Sequence, residues 1–115
     1  MAVFRLGTPP SQVRIRSRDV VPQELGLARD ARALGVAVRR IVLAQSQKKR
    51  SIAADAESLR DGYHAFEPED RIRWTNGDAA IPAELFQGVR GPCMLMLYLG
   101  GVTRYLDDGE ERRVA

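Results

Sequence analysis

The stretch CMLMLYL, residues 93–99, decides the fold. Seven consecutive apolar residues are too short for most helices and long enough for a strand that is buried on both faces. Gly91-Pro92 precedes the stretch and Gly100-Gly101 follows it, so both of its ends are interrupted. The glycine pair lacks the spacing of a phosphate-binding loop and indicates a hairpin turn or a bulge. We therefore predict a strand here, at the centre of a sheet.

The residues that follow this strand favour an antiparallel continuation. Asp108-Gly109 is a second turn signal, so the segments 102–106 and 110–114 are predicted to be strands of a C-terminal meander. On the other side, Ile72 and Trp74 alternate with polar residues before the tight-turn pair Asn76-Gly77, which predicts a strand and a turn. Residues 82–87 begin with proline and are followed by glycine, which is typical of one or two helical turns.

The N-terminal region predicts one more strand. Pro9 and Pro10 exclude a helix interior, and we interpret residues 1–12 as a flexible or partner-binding arm. In the segment VRIRSR, residues 13–18, Val13 and Ile15 alternate with arginines, as expected of a half-buried strand.

Residues 22–61 carry the spacing of an amphipathic helix. Two apolar series advance in steps of three and four: Leu27, Ala31, Leu34, Val38 and Ile41, then Ile52, Ala56, Leu59, Tyr63 and Phe66. The polar segment 45–50 between them contains no Gly or Pro, so the pattern fits one long helix or two shorter ones. A single long helix would present a seven-residue repeat that favours a dimer. The sequence thus predicts an α+β fold with an N-terminal strand, one long or two shorter amphipathic helices and a C-terminal antiparallel sheet.

Length and composition restrict the class of protein. The 115 residues suit one domain, 1–115, and a hydrophobic fraction of 44% is ordinary for a folded chain. No stretch has the apolar length of a membrane span or of a secretory signal, so we expect an intracellular protein. One cysteine and one histidine cannot build an intrachain disulfide or a Cys/His zinc site, and no cofactor motif is present. We therefore expect no cofactor and no metal.

Charge is divided along the chain. Residues 1–50 hold eleven Lys and Arg against three acids, whereas residues 51–115 hold seven against twelve. A basic half of this kind can meet phosphates, an acidic protein or the acidic half of the same molecule. The candidate partner- or phosphate-binding residues are Arg14, Arg16, Arg18, Arg29, Arg32, Arg39, Arg40, Lys48, Lys49 and Arg50. Val36 and Leu43 lie among the arginines of the predicted basic helix and form a candidate contact patch.

Three functions follow in order of preference. The first is a non-enzymatic protein-binding or assembly module that self-associates as a homo-oligomer, an accessory or structural component of a larger complex such as a virion assembly. The second is a nucleic-acid-binding protein that holds phosphates with its arginine-rich strand and helix face. The third is a small enzyme using His64 with a nearby acid; nucleophilic catalysis by a pair of His64 and Cys93 is a further alternative. Cys93 opens the most apolar stretch, which favours an inert thiol.

Overall fold

The computed structural model describes residues 1–8, 12–18 and 32–101. The larger of two antiparallel sheets has the strand order β1 (Ala2–Leu6), β7 (Cys93–Gly101), β3 (Ala37–Gln45) and β4 (Lys48–Ala53), and the short β5 (Arg73–Trp74) pairs with the start of β3. The smaller sheet pairs β2 (Val13–Arg16) with β6 (Asp78–Ile81). A 3₁₀ turn at Ala83–Phe86 connects β6 towards β7. Among the described residues, no helix is long and apolar enough to cross a membrane.

Strand β7 confirms the prediction made from residues 93–99. It pairs with β1 on one side and with β3 on the other, so it lies inside the sheet. Cys93, Leu95 and Leu97 point into the core and are 7%, 3% and 2% exposed, whereas Met94 and Met96 on the opposite face are half-buried. The run is continuously apolar because both faces are at least partly covered.

The predicted α+β fold is wrong. Ala37–Gln45 and Lys48–Ala53, which the sequence assigned to an amphipathic basic helix, are the strands β3 and β4 of a hairpin. Its turn is made by Ser46 and Gln47, and Ser46 has a φ of 53°. The 3₁₀ turn is the only helical element in the described part of the chain. The part of the predicted helix at residues 22–31 lies outside the described residues.

A β-bulge explains the helix-like spacing in β3. Val38 pairs with Leu99 and Arg40 pairs with Tyr98, so Arg39 is an extra residue in the ladder. The bulge returns Val38 to the face that carries Ile41, and both side chains are fully buried. Two residues that share one face of a regular strand are separated by an even number of positions. The bulge turns that separation into three, which is a helical step.

The second apolar series supplies core residues without forming a helix. Ile52 belongs to β4, while Ala56, Leu59 and Tyr63 lie in the irregular segment after it. All four pack in or against the hydrophobic core. The sequence pattern therefore identified these inward-facing positions correctly, but it predicted a helix where the chain forms a strand and an irregular segment.

The core lies between the two sheets. Its buried residues come from β2, β3, β6, β7, the 3₁₀ turn and the segments before β3 and after β4: Ile15, Val36, Val38, Ile41, Leu43, Leu59, Ile81, Leu85, Phe86, Cys93, Leu95 and Leu97. Thr75 is the one buried polar residue in the part of the chain that the structure describes. Its Oγ1 accepts hydrogen bonds from the backbone N–H of Val36 at 3.1 Å and of Gly77 at 3.3 Å. Thr75 thereby joins the start of β3 to the loop before β6.

Other predicted elements have separate outcomes. Strand β2 and the helical turn after Pro82 lie where the sequence placed them. Ala2–Leu6, inside the segment interpreted as an arm, is strand β1. Gly100 lies at a bulge, where the register slips between Leu99 and Gly101. The predicted strands 102–106 and 110–114 lie outside the described residues.

Candidate functional site

An open groove crosses the outer face of the larger sheet, on the side away from the core. We call it the arginine groove, and its lining residues are Arg39, Arg40, Ala53, Ala54, Asp55, Phe66, Pro68, Arg71 and Tyr98. Its volume is about 680 Å³. Strands β3, β4 and β7 supply its floor, and the segment 66–71 supplies the opposite wall.

Arg40 and Tyr98 are placed side by side by strand register. They are direct partners in the β3–β7 ladder, so their side chains leave the same face of the sheet. The Arg40 guanidinium carbon lies 4.6 Å from the centroid of the Tyr98 ring, which is the geometry of a cation–π contact. The pair presents a planar cation backed by an aromatic ring.

Arg39 reaches the groove because it is the bulged residue of β3. Its side chain passes over Gly100 so closely that a Cβ at Gly100 would lie 2.6 Å from Arg39 Nε and 2.5 Å from Ile72 Cγ2. A side chain at position 100 would therefore displace Arg39 or the wall behind it. The glycine that sequence analysis connected with a bulge leaves room for this arginine.

Arg71 belongs to a tight turn on the opposite wall. The turn is closed by backbone hydrogen bonds between Glu67 and Ile72, with N···O distances of 2.8 and 3.3 Å. Arg71 has a φ of 55°, in the left-handed region that costs a non-glycine residue about 1 kcal/mol or more. Ser46 in the β3–β4 hairpin turn has a similar φ of 53°, so the conformation of Arg71 is that of a tight turn, and it places the arginine at the rim of the groove.

Arg73 holds the wall of the groove in place. Its Nε donates to the carbonyl of Ala54 at 2.7 Å, and its Nη1 donates to the carbonyls of Leu59 at 3.3 Å and His64 at 3.4 Å. The guanidinium also lies 6.0 Å from the Phe66 ring centroid. Arg73 thus ties two groove residues, Ala54 and Phe66, to the chain behind them.

The groove is cationic. Three guanidinium groups face one carboxylate, that of Asp55. Among the residues that the structure describes, none forms an ion pair with Arg39, Arg40 or Arg71. Glu69 and Asp70 precede Arg71 in its turn but are exposed and do not line the groove. The three cations are thus available to an anionic ligand, within the described part of the molecule.

Arg14 has a different role from Arg39 and Arg40. Its Nη1 lies 3.0 Å from Asp61 Oδ2, and its Nε lies 2.7 Å from Asp78 Oδ1. These contacts raise the pKa of Arg14 and lower the pKa of both carboxyl groups. Arg14 therefore links β2 to β6 and to the loop before Gly62, and the predicted row of phosphate-binding arginines on β2 loses its first member to an internal contact.

The Arg14 network predicts a stability that depends on acid pH. The pKa values of Asp61 and Asp78 are held below 3.8 in the folded state by their hydrogen bonds with Arg14. The stabilisation is therefore complete above the unfolded-state pKa of about 4 and is lost as the pH falls through the lower folded-state values. We expect Arg14→Met to reduce the free energy of unfolding at pH 7, and the deficit relative to the natural chain to shrink below about pH 4. Urea unfolding at several pH values measures this, and a deficit that is independent of pH would contradict it.

The remaining basic candidates are dispersed. Arg16 is exposed, and its Nε lies 3.6 Å from Asp78 Oδ1. Arg32 forms an ion pair with Glu67 at 3.1 Å. Arg50 donates to the backbone carbonyls of Leu85 and Gln87 near the 3₁₀ turn. Lys48 and Lys49 are exposed at the hairpin end of β4, Arg18 is exposed just after β2, and Arg29 lies outside the described residues. Of the ten candidates, the groove brings together Arg39 and Arg40.

The candidate contact patch is not on the surface. Val36 and Leu43 are 1% and 2% exposed and belong to the hydrophobic core. Both were placed beside arginines by a helical spacing that β3 does not have. They therefore offer no surface to a partner in this fold.

His64 and Cys93 are both engaged in structural contacts. His64 Nε2 lies 2.7 Å from the carbonyl oxygen of Ala33. Because a carbonyl oxygen accepts, Nε2 carries the hydrogen and donates it. Cys93 is buried in the core face of β7, and burial raises the pKa of its thiol, which disfavours the reactive thiolate. Among the described residues, no group of three or more His, Cys, Asp or Glu side chains is arranged to hold a metal ion.

Of the nine groove residues, sequence analysis selected only Arg39 and Arg40; the aromatic residues Phe66 and Tyr98 and the third arginine, Arg71, are among the seven that it missed. Phe66 was assigned to the apolar face of a helix and Tyr98 to the buried strand. Arg71 was interpreted as part of an alternating strand. Only the long-range pairing of β3 with β7 and the return of the segment 66–71 bring them together.

Comparison of the chain with protein-family models, with curated proteins and with solved structures finds no match. Function is therefore inferred from the groove itself.

Proposed function

We propose that the protein is a non-enzymatic binding module and that the arginine groove takes single-stranded nucleic acid. The observation that carries the proposal is the convergence of Arg39, Arg40 and Arg71 on a groove with two aromatic rings. Guanidinium groups bind phosphate oxygens in a planar, bidentate geometry. Unpaired bases stack on aromatic rings and on guanidinium planes. The groove supplies both kinds of contact within one surface.

The aromatic rings favour a single strand over a duplex. In a duplex the base faces are stacked on one another, so Phe66 and Tyr98 would have no base to contact. The stacked Arg40–Tyr98 pair resembles the platform that proteins use beneath a splayed base. An acidic peptide would use the arginines but would leave the two rings without a role.

Binding to labelled oligonucleotides tests this proposal. We expect single-stranded DNA to bind more tightly than duplex DNA of the same length. Three phosphate contacts to a single strand should give a salt slope of about −2, which is roughly a 20-fold loss of affinity between 50 and 200 mM salt. Fluorescence anisotropy at several salt concentrations measures both quantities.

An abasic oligonucleotide is the matched control ligand. It keeps the phosphates but has no bases to stack, so we expect it to bind about tenfold or more weakly. Equal binding of the abasic strand would show that only charge is recognised, and would favour an acidic protein partner instead. No binding to either strand at low salt would overturn the proposal.

This function also fits an intracellular setting, which we propose with it.

The sequence hypothesis of an assembly module depended on a basic helix that the fold does not contain. Self-association is therefore argued on different residues below. The hypothesis of a small enzyme has weaker support, because His64 and Cys93 are held by structural contacts.

A further inference from the structure

Exposed apolar side chains concentrate at β1. Within the described part of the chain, the exposed large hydrophobic residues are Met1, at 70%, and Val3, at 46%. Val3 lies beside the half-buried Met96 on the outer face of the sheet, since the two are register partners. Exposed apolar residues are ordinary when they occur singly, so these two matter here because they adjoin the edge strand β1.

The backbone of β1 is also unpaired on one side. Strand β1 pairs with β7 from Ala2↔Leu97 to Leu6↔Cys93, and no other described strand pairs with it. Within the described ranges, the N–H and C=O groups along its outer edge have no strand partner and can pair with a further strand. The opposite edge of the sheet, β4, carries Lys48, Lys49 and Arg50, which are the charges that block such pairing. Strand β1 carries a single charge, Arg5, and lacks that protection.

A cavity lies on the inner side of the same edge. It has a volume of about 260 Å³ and lies between the two sheets, with Phe4 and Leu6 of β1 facing Val13 and Ile15 of β2. Leu95 and Leu97 of β7 and Ile81 of β6 complete its apolar lining, so the inner face of β1 is incompletely covered by the described residues.

We propose that β1 is the interface between two copies of this chain, which pair β1 with β1 in antiparallel orientation and extend the sheet across a two-fold axis. A two-fold interface requires the same surface on both subunits, which a single unguarded edge provides. Centring the pair on Phe4 uses all five residues, with Ala2 opposite Leu6 and Val3 opposite Arg5 of the other copy. Arg5 then has no like charge directly opposite. Pairing with β4 of another copy would instead bring three cations to an edge that has no acid.

Sedimentation equilibrium of charge variants tests this interface. We expect the natural chain, of 12.8 kDa, to form a dimer of twice that mass as its concentration is raised to about 100 μM. Val3→Lys places a cation opposite Arg5 and should raise the dissociation constant about tenfold, whereas Val3→Glu should keep or strengthen the dimer. Ser51→Lys adds the same charge at the exposed β4 edge and should leave the dimer unchanged.

The outcomes separate this interface from the alternatives. A monomer at every concentration would overturn it, as would equal effects of Val3→Lys and Ser51→Lys. Equal effects of the lysine and glutamate changes at Val3 would overturn the proposed register. Val3 is exposed, so both variants should fold, and circular dichroism verifies this. The result is independent of nucleic-acid binding, because β1 does not line the arginine groove.

Discussion

A Gly62→Ala variant is expected to lose about 3 kcal/mol or more of its free energy of unfolding. Gly62 has a φ of 90°, which a residue with a Cβ rarely adopts. A Cβ at this position would also lie 2.3 Å from the carbonyl oxygen of Asp78 and 2.5 Å from Ala79 Cα. Both are backbone atoms of β6, so no side-chain rotation relieves the clash. Small domains are stable by only about 5–15 kcal/mol, so the loss is a large fraction of the total.

Gly88→Ala is the matched control for this prediction. Gly88 also has a positive φ, 76°, but the nearest atom to an added Cβ is Arg50 Nη2 at 3.8 Å. The Gly88→Ala variant should therefore lose only about 1 kcal/mol of its free energy of unfolding, which is the cost of a positive φ for a residue with a Cβ. Urea unfolding followed by the fluorescence of Trp74, the one tryptophan, measures both variants. Equal losses for the two glycines would mean that the segment 61–62 does not pack against β6 as described.

The double variant Arg39→Glu/Arg40→Glu should weaken binding of single-stranded DNA on the order of 100-fold, because each charged hydrogen bond contributes about 1.5–3 kcal/mol. The change removes two phosphate contacts and adds two repulsive charges in the groove. Binding to all base sequences should fall together, and the salt slope should flatten. Fluorescence anisotropy at fixed salt measures the loss, and circular dichroism confirms that the variant is folded.

Lys48→Glu/Lys49→Glu makes the same change in net charge outside the groove. Lys48 lies at the hairpin end of β4, about 17 Å along the strand from Ala53, which lines the groove. This control should lose only a few-fold in affinity through the general field of the protein. If both double variants lose affinity equally, binding depends on net charge and the groove is not the site.

Arg71→Gly separates binding from stability. Glycine adopts the φ of 55° without strain, so this variant should be as stable as the natural chain or slightly more stable. It also removes one of the three guanidinium groups, so its affinity should fall. A stabilised variant with full affinity would remove Arg71 from the site.

Local composition was enough to locate two strands, one from a continuous apolar run and one from regular alternation. Residues 93–99 predicted β7 because an apolar run between Gly-Pro and Gly-Gly has few other uses in a domain of this size. Strand β2 was predictable because Val13 and Ile15 alternate with arginines without interruption. In both cases the residues of the strand and its immediate neighbours in sequence are sufficient to predict it.

The strand β3 was missed because a bulge near its start, at Arg39, interrupts the alternation of its side chains. Val38 and Ile41 face the same core, and the extra residue Arg39 gives them helical spacing. The β-branched content of residues 36–42 was the available counter-signal, since Val36, Val38, Ile41 and Val42 favour a strand over a helix. The backbone of the segment after β4 is irregular, so the three-and-four spacing of its apolar residues marks inward-facing positions and not a helix.

The groove could not be predicted because its parts are distant in sequence. Arg40 meets Tyr98 only through the β3–β7 register, and Arg71 is brought to them by a turn whose closure depends on Glu67 and Ile72. Sequence analysis selected Arg39 and Arg40 on charge alone, along with eight other basic residues. The fold separates these two from Arg14, which it neutralises with two aspartates.

The most direct test of the proposed function is NMR mapping of the binding surface. We would record backbone and arginine Nε–Hε shifts of the ¹⁵N-labelled protein while adding an oligothymidine of about ten nucleotides. The proposal predicts shifts that saturate together at Arg39, Arg40, Ala54, Arg71 and Tyr98, with little change at Lys48 and Lys49. Shifts confined to Lys48, Lys49 and the turn before them, or no shifts at low salt, would contradict the assignment of the arginine groove as a nucleic-acid-binding site.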